Sequence, residues 1–263
     1  MKKRIALALS VLLLLTLLCG CSNTYGVNFT YDDADKFTAA SEATLSGPVR
    51  NLSVGWINGA VELSVGEEDT ISFSEAVTQE GTADTDDFIL RYRQDGDTLT
   101  IRFAASGRYY VDMPQKTLKI TLPKGTELDS LDIENTNASF TANGLHAEKA
   151  KIVCLEGRVV VEDSFLADTR LDTMSGNASI TLLESPKRFD AYTVSGNLIL
   201  FLPDDADFSV RNTTTGGTFN CDFDVETTDK AYVHGTGAGE ILFETVSGSA
   251  TLRQIEEPEE AAS

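Results

Sequence analysis

Two histidines and two cysteines are the first candidates for metal or nucleophilic chemistry in this chain. His146 and His234 are its histidines, and Cys154 and Cys221 are the cysteines beyond the N-terminal segment. No CxxC, HxxxH or His–carboxylate spacing typical of a zinc site occurs. We therefore predict no metal and no cofactor. The two cysteines stand at different offsets from the nearest repeated glycine, so we expect buried thiols, with a disulfide as the alternative.

A glycine-rich stretch, residues 235–239 (Gly-Thr-Gly-Ala-Gly), superficially resembles a phosphate-binding loop. Such a loop has to open a helix whose N-terminus faces the phosphates. Residues 241–246 (Ile-Leu-Phe-Glu-Thr-Val) predict a strand instead. We interpret the stretch as a turn between strands.

Clustered carboxylates raise the one serious enzyme alternative, a glycan-cleaving β-helical protein, because glycoside cleavage needs two acids across a cleft. The candidates lie in turn-like segments, where aspartate is favoured for local bonds to the backbone. They are Asp204, Asp205, Asp207, Asp222 and Asp224. Calcium on these clusters is a weaker alternative, since their spacing matches no EF-hand loop. We predict no enzymatic activity.

The N-terminal segment has the features of an export signal. Three cations (Lys2, Lys3 and Arg4) precede an apolar run of 14 residues, 5–18, which is too short to span a bilayer as a mature helix. The run ends Leu-Cys-Gly-Cys, which resembles the lipobox of bacterial lipoproteins. That resemblance implies cleavage after residue 20 and lipidation of Cys21, which would anchor the protein outside the cytoplasm.

The charge balance restricts the partners. The chain carries a formal net charge of −20, and loss of the three cations in residues 1–20 leaves −23. Such a surface argues against nucleic acid as a partner and favours a solvated body held off the membrane by a tether. We expect the membrane, through the lipid, and an unidentified protein or glycan as partners.

A short phrase repeats through the second half of the chain. Measured at the glycine position, with Ala138 in the first copy, successive copies are 19, 19, 20, 20 and 32 residues apart. The glycines are Gly157, Gly176, Gly196, Gly216 and Gly248. A fixed period near 20 residues indicates one supersecondary unit stacked on the next. We expect small residues at these corners because the backbone turns there through positive φ.

The elements that flank the corners alternate in polarity, which predicts strands. One rung gives Leu171, Thr173, Ala178, Ile180 and Leu182 as inward residues, and the next gives Phe189, Ala191, Thr193, Leu198, Leu200 and Leu202. Asn58-Gly59 and Asp95-Gly96 predict hairpins in an N-terminal meander. The fold class is therefore all-β, a β-solenoid-like repeat of Gly-cornered rungs of about 20 residues.

Four domain segments follow from these patterns. Residues 1–20 are the lipoprotein signal peptide, and residues 21–48 are the lipidated cysteine and a tether. Residues 49–253 form a single all-β repeat domain. Residues 254–263 form an acidic tail with nothing to bury.

An apolar set in the rung of Gly196 is a candidate partner surface. Tyr192, Val194, Ile199 and Phe201 occupy outward positions where polar residues are expected. Either later chain, such as residues 218–245, covers them, or they form an exposed strip that binds a partner.

The order of these motifs resembles the "putative adhesin" family of β-strand-repeat proteins (DUF4097) over residues 31–252. The resemblance is carried by Trp56 before Asn58-Gly59, by residues 97–101 and 122–125, and by the Thr-x-Ser-Gly corners. It implies a solenoid-like fold and an envelope location, with no catalytic residues.

We thus expect a lipid-anchored envelope protein that acts as a non-enzymatic surface binding or scaffold module. An envelope-stress regulatory or protective accessory is the alternative. A glycan-active enzyme ranks third.

Overall fold

The structure is a computed structural model that describes residues 27–80, 85–110, 112–228 and 231–255. The signal peptide, Cys21 and residues 256–263 lie outside the described residues. Within the described ranges the chain forms 22 strands and two short 3₁₀ helices (Ala34–Lys36 and Thr85–Phe88), with no α-helix. The prediction of an all-β chain is confirmed.

The first half contains β1 (Val27–Phe29), β2 (Thr38–Ala39), β3 (Glu42–Leu45), β4 (Asn51–Val65), β5 (Ile71–Gln79), β6 (Arg91–Asp95), β7 (Thr98–Arg102), β8 (Arg108–Tyr110), β9 (Gln115–Leu122), β10 (Glu127–Leu128) and β11 (Ser130–Asn143). The second half contains β12 (His146–Glu156), β13 (Val159–Thr173), β14 (Ala178–Leu182), β15 (Arg188–Thr193), β16 (Leu198–Leu202), β17 (Phe208–Thr214), β18 (Phe219–Cys221), β19 (Glu226–Thr227), β20 (Tyr232–His234), β21 (Gly239–Thr245) and β22 (Ala250–Gln254).

Twenty of the strands join one large mixed sheet, whose centre consists of two runs of parallel pairs. The first ladder runs in the order β7, β4, β11, β12, β13, β15, β21 and β17. The second ladder runs β9, β4, β11, β13, β14, β16, β22 and β18. The long strands β4, β11 and β13 bend and contribute to both ladders. The chain thus passes repeatedly from one ladder to the other.

The core lies between the ladders. Strand alternation places one side of each strand inward, and every residue of the two predicted inward sets is buried. Their equivalents in adjacent strands, such as Ile133, Ile152, Leu171, Ala191 and Phe243, continue the apolar column along the stack.

Gly157 has the predicted positive φ, at 139°, but two other corners need glycine for a different reason. Gly176 and Gly196 do not have positive φ. Instead, a Cβ on Gly176 would lie 1.8 Å from the carbonyl oxygen of Gly157, and a Cβ on Gly196 would lie 1.8 Å from that of Gly176. Backbone stacks directly on backbone at these two corners, so a residue with a side chain does not fit at either position.

The order of the last rungs differs from the order in the sequence. Strands β21 and β22 pair directly with β15 and β16, and β17 and β18 pair on the far side of them. A Cβ on Gly248 would meet the carbonyl oxygen of Gly196, and a Cβ on Gly217 would meet that of Gly248. The prediction of Gly216 as the corner was therefore wrong by one residue, because the Thr-x-x-Gly spacing was matched to the first of two adjacent glycines.

A buried threonine explains the rest of the repeated phrase. Thr193 Oγ1 accepts a hydrogen bond of 2.9 Å from the backbone N of Gly196 and another of 2.9 Å from Thr173 Oγ1. Thr214 Oγ1 accepts the backbone N of Gly217 in the same way at 2.8 Å. A side-chain acceptor three residues before the glycine satisfies an N–H that the tight corner would otherwise leave unpaired.

Antiparallel strands end both ladders near the N-terminus. The hairpin predicted at Asp95-Gly96 is confirmed, with β6 and β7 antiparallel and Gly96 at φ 60°. The hairpin predicted at Asn58-Gly59 is wrong. Residues 51–65 form one strand that turns at Gly59, where a Cβ would lie 2.2 Å from the carbonyl oxygen of Lys116. An Asn-Gly pair serves a corner here because the parallel neighbours fix the path on both sides.

Part of the predicted tether packs on the domain. Strands β1, β2 and β3 pair with β8, β6 and β5. Tyr31 packs against Phe29 and Phe37, with ring centroids 5.4 and 4.8 Å apart. Its hydroxyl donates to the carbonyl oxygen of Ala104 at 3.1 Å.

Candidate binding surface

The outer side of the first ladder carries charged side chains in rows. Residues of neighbouring strands stand opposite one another with alternating sign, as in Lys149–Asp168–Arg188–Glu240. Most of the ion pairs on this face join residues of the same strand or of adjacent strands. Arg170 Nε lies 2.7 Å from Asp172 Oδ2, which raises the pKa of the guanidinium through this hydrogen bond. These exposed pairs contribute little to stability, but they define a regular polar face.

A shallow depression of about 290 Å³ lies on this face between β11, β12 and β13. It is lined by Ser130, Leu131, Asp132, Lys149, Ala150, Lys151, Asp168 and Arg170. Lys151 bridges Asp132 at 3.4 Å and Glu134. Both signs of charge are therefore present, without an arrangement that holds two acids across a deep cleft.

An apolar column borders the charged rows along the corner. It consists of the residues two positions before Gly157, Gly176, Gly196 and Gly248, namely Leu155, Met174, Val194 and Val246. Backbone bonds keep it in register, since Ser195 N donates to Met174 O and Ser247 N to Val194 O, each at 2.9 Å. Val246 is 41% exposed and the other three are half-buried. We call these four residues the corner column. The sequence signal was present in four of the six copies of the phrase, the other two having threonine at that position, and the prediction used one rung alone.

The structure separates the four predicted surface residues into two pairs. Tyr192 and Val194 lie on the outer side of the first ladder, whereas Ile199 and Phe201 lie on that of the second, and all four are half-buried. They do not form one strip, because the chain changes ladder at Gly196. Strand β21, within the segment predicted to cover them, pairs beside β15.

Carboxylates flank Tyr192 on its own face. It stands between Asp172 on β13 and Glu244 on β21. Burial raises the pKa of the phenol, and the negative charges of Glu244 and Asp172 raise it further. The side of the first ladder that carries Tyr192 and Val194 therefore presents an aromatic ring, two acids and the corner column.

Lys116 is the main charged residue that the sequence analysis missed. Its side chain is 1% exposed, and its ammonium lies 2.6 Å from Glu75 Oε2 and 2.7 Å from the carbonyl oxygen of Phe103, with a third bond to the carbonyl oxygen of Phe88. The ammonium also lies 4.8 Å from the ring centroid of Trp56. The alternation of Leu118 and Ile120 would have placed this lysine inward, had the predicted strand been extended to residue 116.

Lys116 forms a buried ion pair with Glu75. Burial lowers its pKa to about 8, against the opposing effect of Glu75. All three ammonium protons have acceptors, and Glu75 Oε1 also accepts the backbone N of Leu90 at 2.9 Å. The pair therefore joins β9, at the end of the second ladder, to the antiparallel strand β5.

The glycine-rich turn at residues 235–239 already holds an anion from its own chain. Asp207 accepts hydrogen bonds from Thr236 Oγ1 (2.6 Å), Gly237 N (2.6 Å) and Ala238 N (3.0 Å). These bonds, the one from Thr236 first, lower the pKa of the carboxyl group. The turn is an internal carboxylate nest between strands, in agreement with its interpretation as a turn.

Both cysteines are free thiols, Cys154 buried and Cys221 half-buried. Cys154 stands in the column of corner threonines, opposite Thr173, and donates to the carbonyl oxygen of Ala138 at 3.1 Å. Burial raises its pKa to about 11, which makes it unreactive as a nucleophile.

Neither a metal-binding group nor a membrane-spanning helix occurs in the ranges that the structure describes. Those residues contain no group of three His, Cys, Asp or Glu side chains arranged to hold a metal ion. Among them, too, no helix has the length and apolarity needed to cross a membrane.

No protein-family model matches this chain, and no curated protein matches it. Several solved structures are similar to this chain at low sequence identity. A "putative cell adhesion protein" from Clostridium sporogenes has 13% identity and a TM-score of 0.47, covering 81% of this chain and 99% of its own. A "putative adhesin" from Bacteroides fragilis has 11% identity and a TM-score of 0.41, covering 81% and 97%. A "putative lipid binding protein" from Parabacteroides distasonis has 10% identity and a TM-score of 0.34, covering 82% and 96%.

Proposed function

We propose that this protein is a non-enzymatic binding module of the bacterial envelope, anchored through a lipid on Cys21. In this proposal the parallel rungs form a solenoid-like coil that presents the outer side of the first ladder to a macromolecular partner. The observation that carries it is the corner column, which runs unbroken beside in-register charges over four adjacent strands. An apolar border next to a polar array is typical of an interaction surface.

The same face argues against catalysis. Three of its cations, Lys151, Arg170 and Arg188, already form ion pairs with neighbouring carboxylates, as Arg188 does with Asp190 at 2.6 Å. General acid–base work needs a carboxyl group with a shifted pKa facing a cleft. Within the described residues the clearly shifted carboxyl pKa values, those of Asp33, Asp129 and Asp207, belong to groups that already have hydrogen-bond partners, and all three are lowered.

Binding is tested with the full-length chain in neutral detergent micelles, applied to glycan and protein arrays. We expect retention on a subset of spots, lost in Met174→Asp and Val194→Asp. Thr141→Asp, on the exposed outer side of the second ladder, is the control and should bind normally. Equal retention of all the variants, or release of product from a glycan spot, would reject the proposal.

The anchor is tested separately. Metabolic labelling with a fatty-acid analogue should tag the wild-type chain and leave Cys21→Ser unlabelled. A labelled Cys21→Ser chain, or an unlabelled wild type, excludes the lipidation.

A further inference from the structure

Three arginines lie together at the N-terminal end of the first ladder. In the antiparallel pair of β6 and β7, Arg91 stands directly opposite Arg102, and Arg93 stands one pair further along, opposite Thr100. Tyr92 packs inward on Phe73, with ring centroids 5.0 Å apart, so the alternating Arg91 and Arg93 point outward. Like charges directly opposite each other on a sheet repel.

Little in the chain neutralises this arginine cluster (Arg91, Arg93 and Arg102). Among the described residues its one ion pair joins Arg93 to Asp33 at 3.2 Å, and Asp33 is shared with Lys36. Arg91 donates to the neutral carbonyl oxygen of Ile89 at 2.7 Å.

Arg102 likewise bonds to neutral groups, the hydroxyl and carbonyl oxygens of Ser53 and the carbonyl oxygen of Ile101. Burial lowers the pKa of Arg102, and although Glu134 and Asp132 oppose this effect, neither makes an ion pair with it. In a chain of net charge −20, three adjacent arginines with one shared acid are a local cationic surplus.

The cluster also contains an unused donor and an aromatic wall. Arg93 Nε is buried and has no hydrogen-bond partner within the part of the chain that the structure describes. Its guanidinium lies 5.4 Å from the ring centroid of Phe37, which packs on Tyr31. The backbone N of Tyr31 donates to Ser106 Oγ at 2.9 Å, so this wall is fixed in place. Fixed guanidinium groups with free N–H donors favour a planar or tetrahedral oxyanion.

We propose that the arginine cluster is a binding site for a phosphate oxyanion, supplied by the anionic headgroups of the membrane that carries the anchor. This source rests on the proposed lipid at Cys21. Val27 lies six residues after that cysteine, and a chain of six residues spans at most about 20 Å. The first ladder would then meet the bilayer at its arginine end, and the acidic remainder would point away.

The test is calorimetric titration of the full-length chain in neutral micelles with three water-soluble probes. They are glycerophosphoglycerol, which is an anionic headgroup without acyl chains, zwitterionic glycerophosphocholine, and inorganic phosphate. We expect saturable binding of glycerophosphoglycerol that exceeds the other two. Arg91→Gln should weaken it about tenfold or more, the equivalent of one charged hydrogen bond. Arg211→Gln, which removes an exposed arginine at the opposite end of the same ladder, is the matched control.

Each outcome is decisive. Arg91→Gln removes one hydrogen bond to a carbonyl oxygen. An unchanged melting temperature without ligand will show that this variant folds. Arg93→Gln is the second variant of the cluster and is measured in the same way. No saturable binding of any probe, or equal weakening by Arg211→Gln, overturns the site. Preference for inorganic phosphate overturns the membrane as its source. If the chain proves to be unacylated and still binds glycerophosphoglycerol, the arginine site stands and only the proposed lipid anchor is rejected.

Discussion

Replacing Gly196 by alanine tests the close stacking of the corners. The new methyl group would lie 1.8 Å from the carbonyl oxygen of Gly176, whereas such atoms settle at about 3.3 Å. The rungs must separate locally by about 1.5 Å, which takes the bond from Ser195 N to Met174 O, 2.9 Å long, out of range. The bond from Gly196 N to Thr193 Oγ1 is strained as well. Two buried hydrogen bonds and the lost packing give a destabilisation of about 3 kcal/mol.

Gly216→Ala is the matched control. Its Cβ would lie 3.5 Å from the nearest atom, the carbonyl oxygen of Val246, and Gly216 does not have positive φ. Alanine there also restricts the unfolded chain, so we expect stability within about 1 kcal/mol of wild type. Urea denaturation of both variants measures the difference. If Gly196→Ala unfolds within about 0.5 kcal/mol of Gly216→Ala, the corners do not stack as described, and the reasoning fails.

Four further predictions concern polar groups in the fold. Lys116→Ala should destabilise the chain by about 3–5 kcal/mol in urea denaturation because Glu75 stays buried without a partner, and adding Glu75→Gln should recover part of the loss. Folding lowers the pKa of Lys116 from 10.5 to about 8, so the folded state holds this proton less tightly than the unfolded chain does. The free energy of unfolding should therefore rise by about 1 kcal/mol from pH 8 to 9. A similar rise in Lys116→Met would contradict this assignment to Lys116. Thr193→Val should cost about 1–3 kcal/mol in thermal unfolding, because the N–H of Gly196 loses its acceptor, and a neutral result would show that the threonine is not needed there. Asp207→Ala should lower the amide hydrogen-exchange protection factors in the turn of residues 235–239. Acid should lower them too, after correction for the intrinsic pH dependence of exchange, since the lowered pKa means that the contribution is present above the usual carboxyl pKa and lost as pH falls. Unchanged protection factors would exclude the carboxylate nest.

The local chemistry of the repeat was readable from the sequence. Alternation of apolar and polar residues identified the strands, and the repeated Thr-x-Ser-Gly phrase located the corners to within one residue. Both are short-range signals, since the period of two in a strand and the need for a small residue at a tight turn act within a few positions.

The tertiary structure decided everything that depends on which strand becomes the neighbour of another. Strands β21 and β22 lie between rungs that precede them in the chain, and that placement selects Gly217 over Gly216 as a corner. The pairing of β9 with β5 brings Lys116 to Glu75. Composition and periodicity carry no record of such contacts, because they join residues far apart in sequence whose proximity is fixed by the stacking of backbone on backbone.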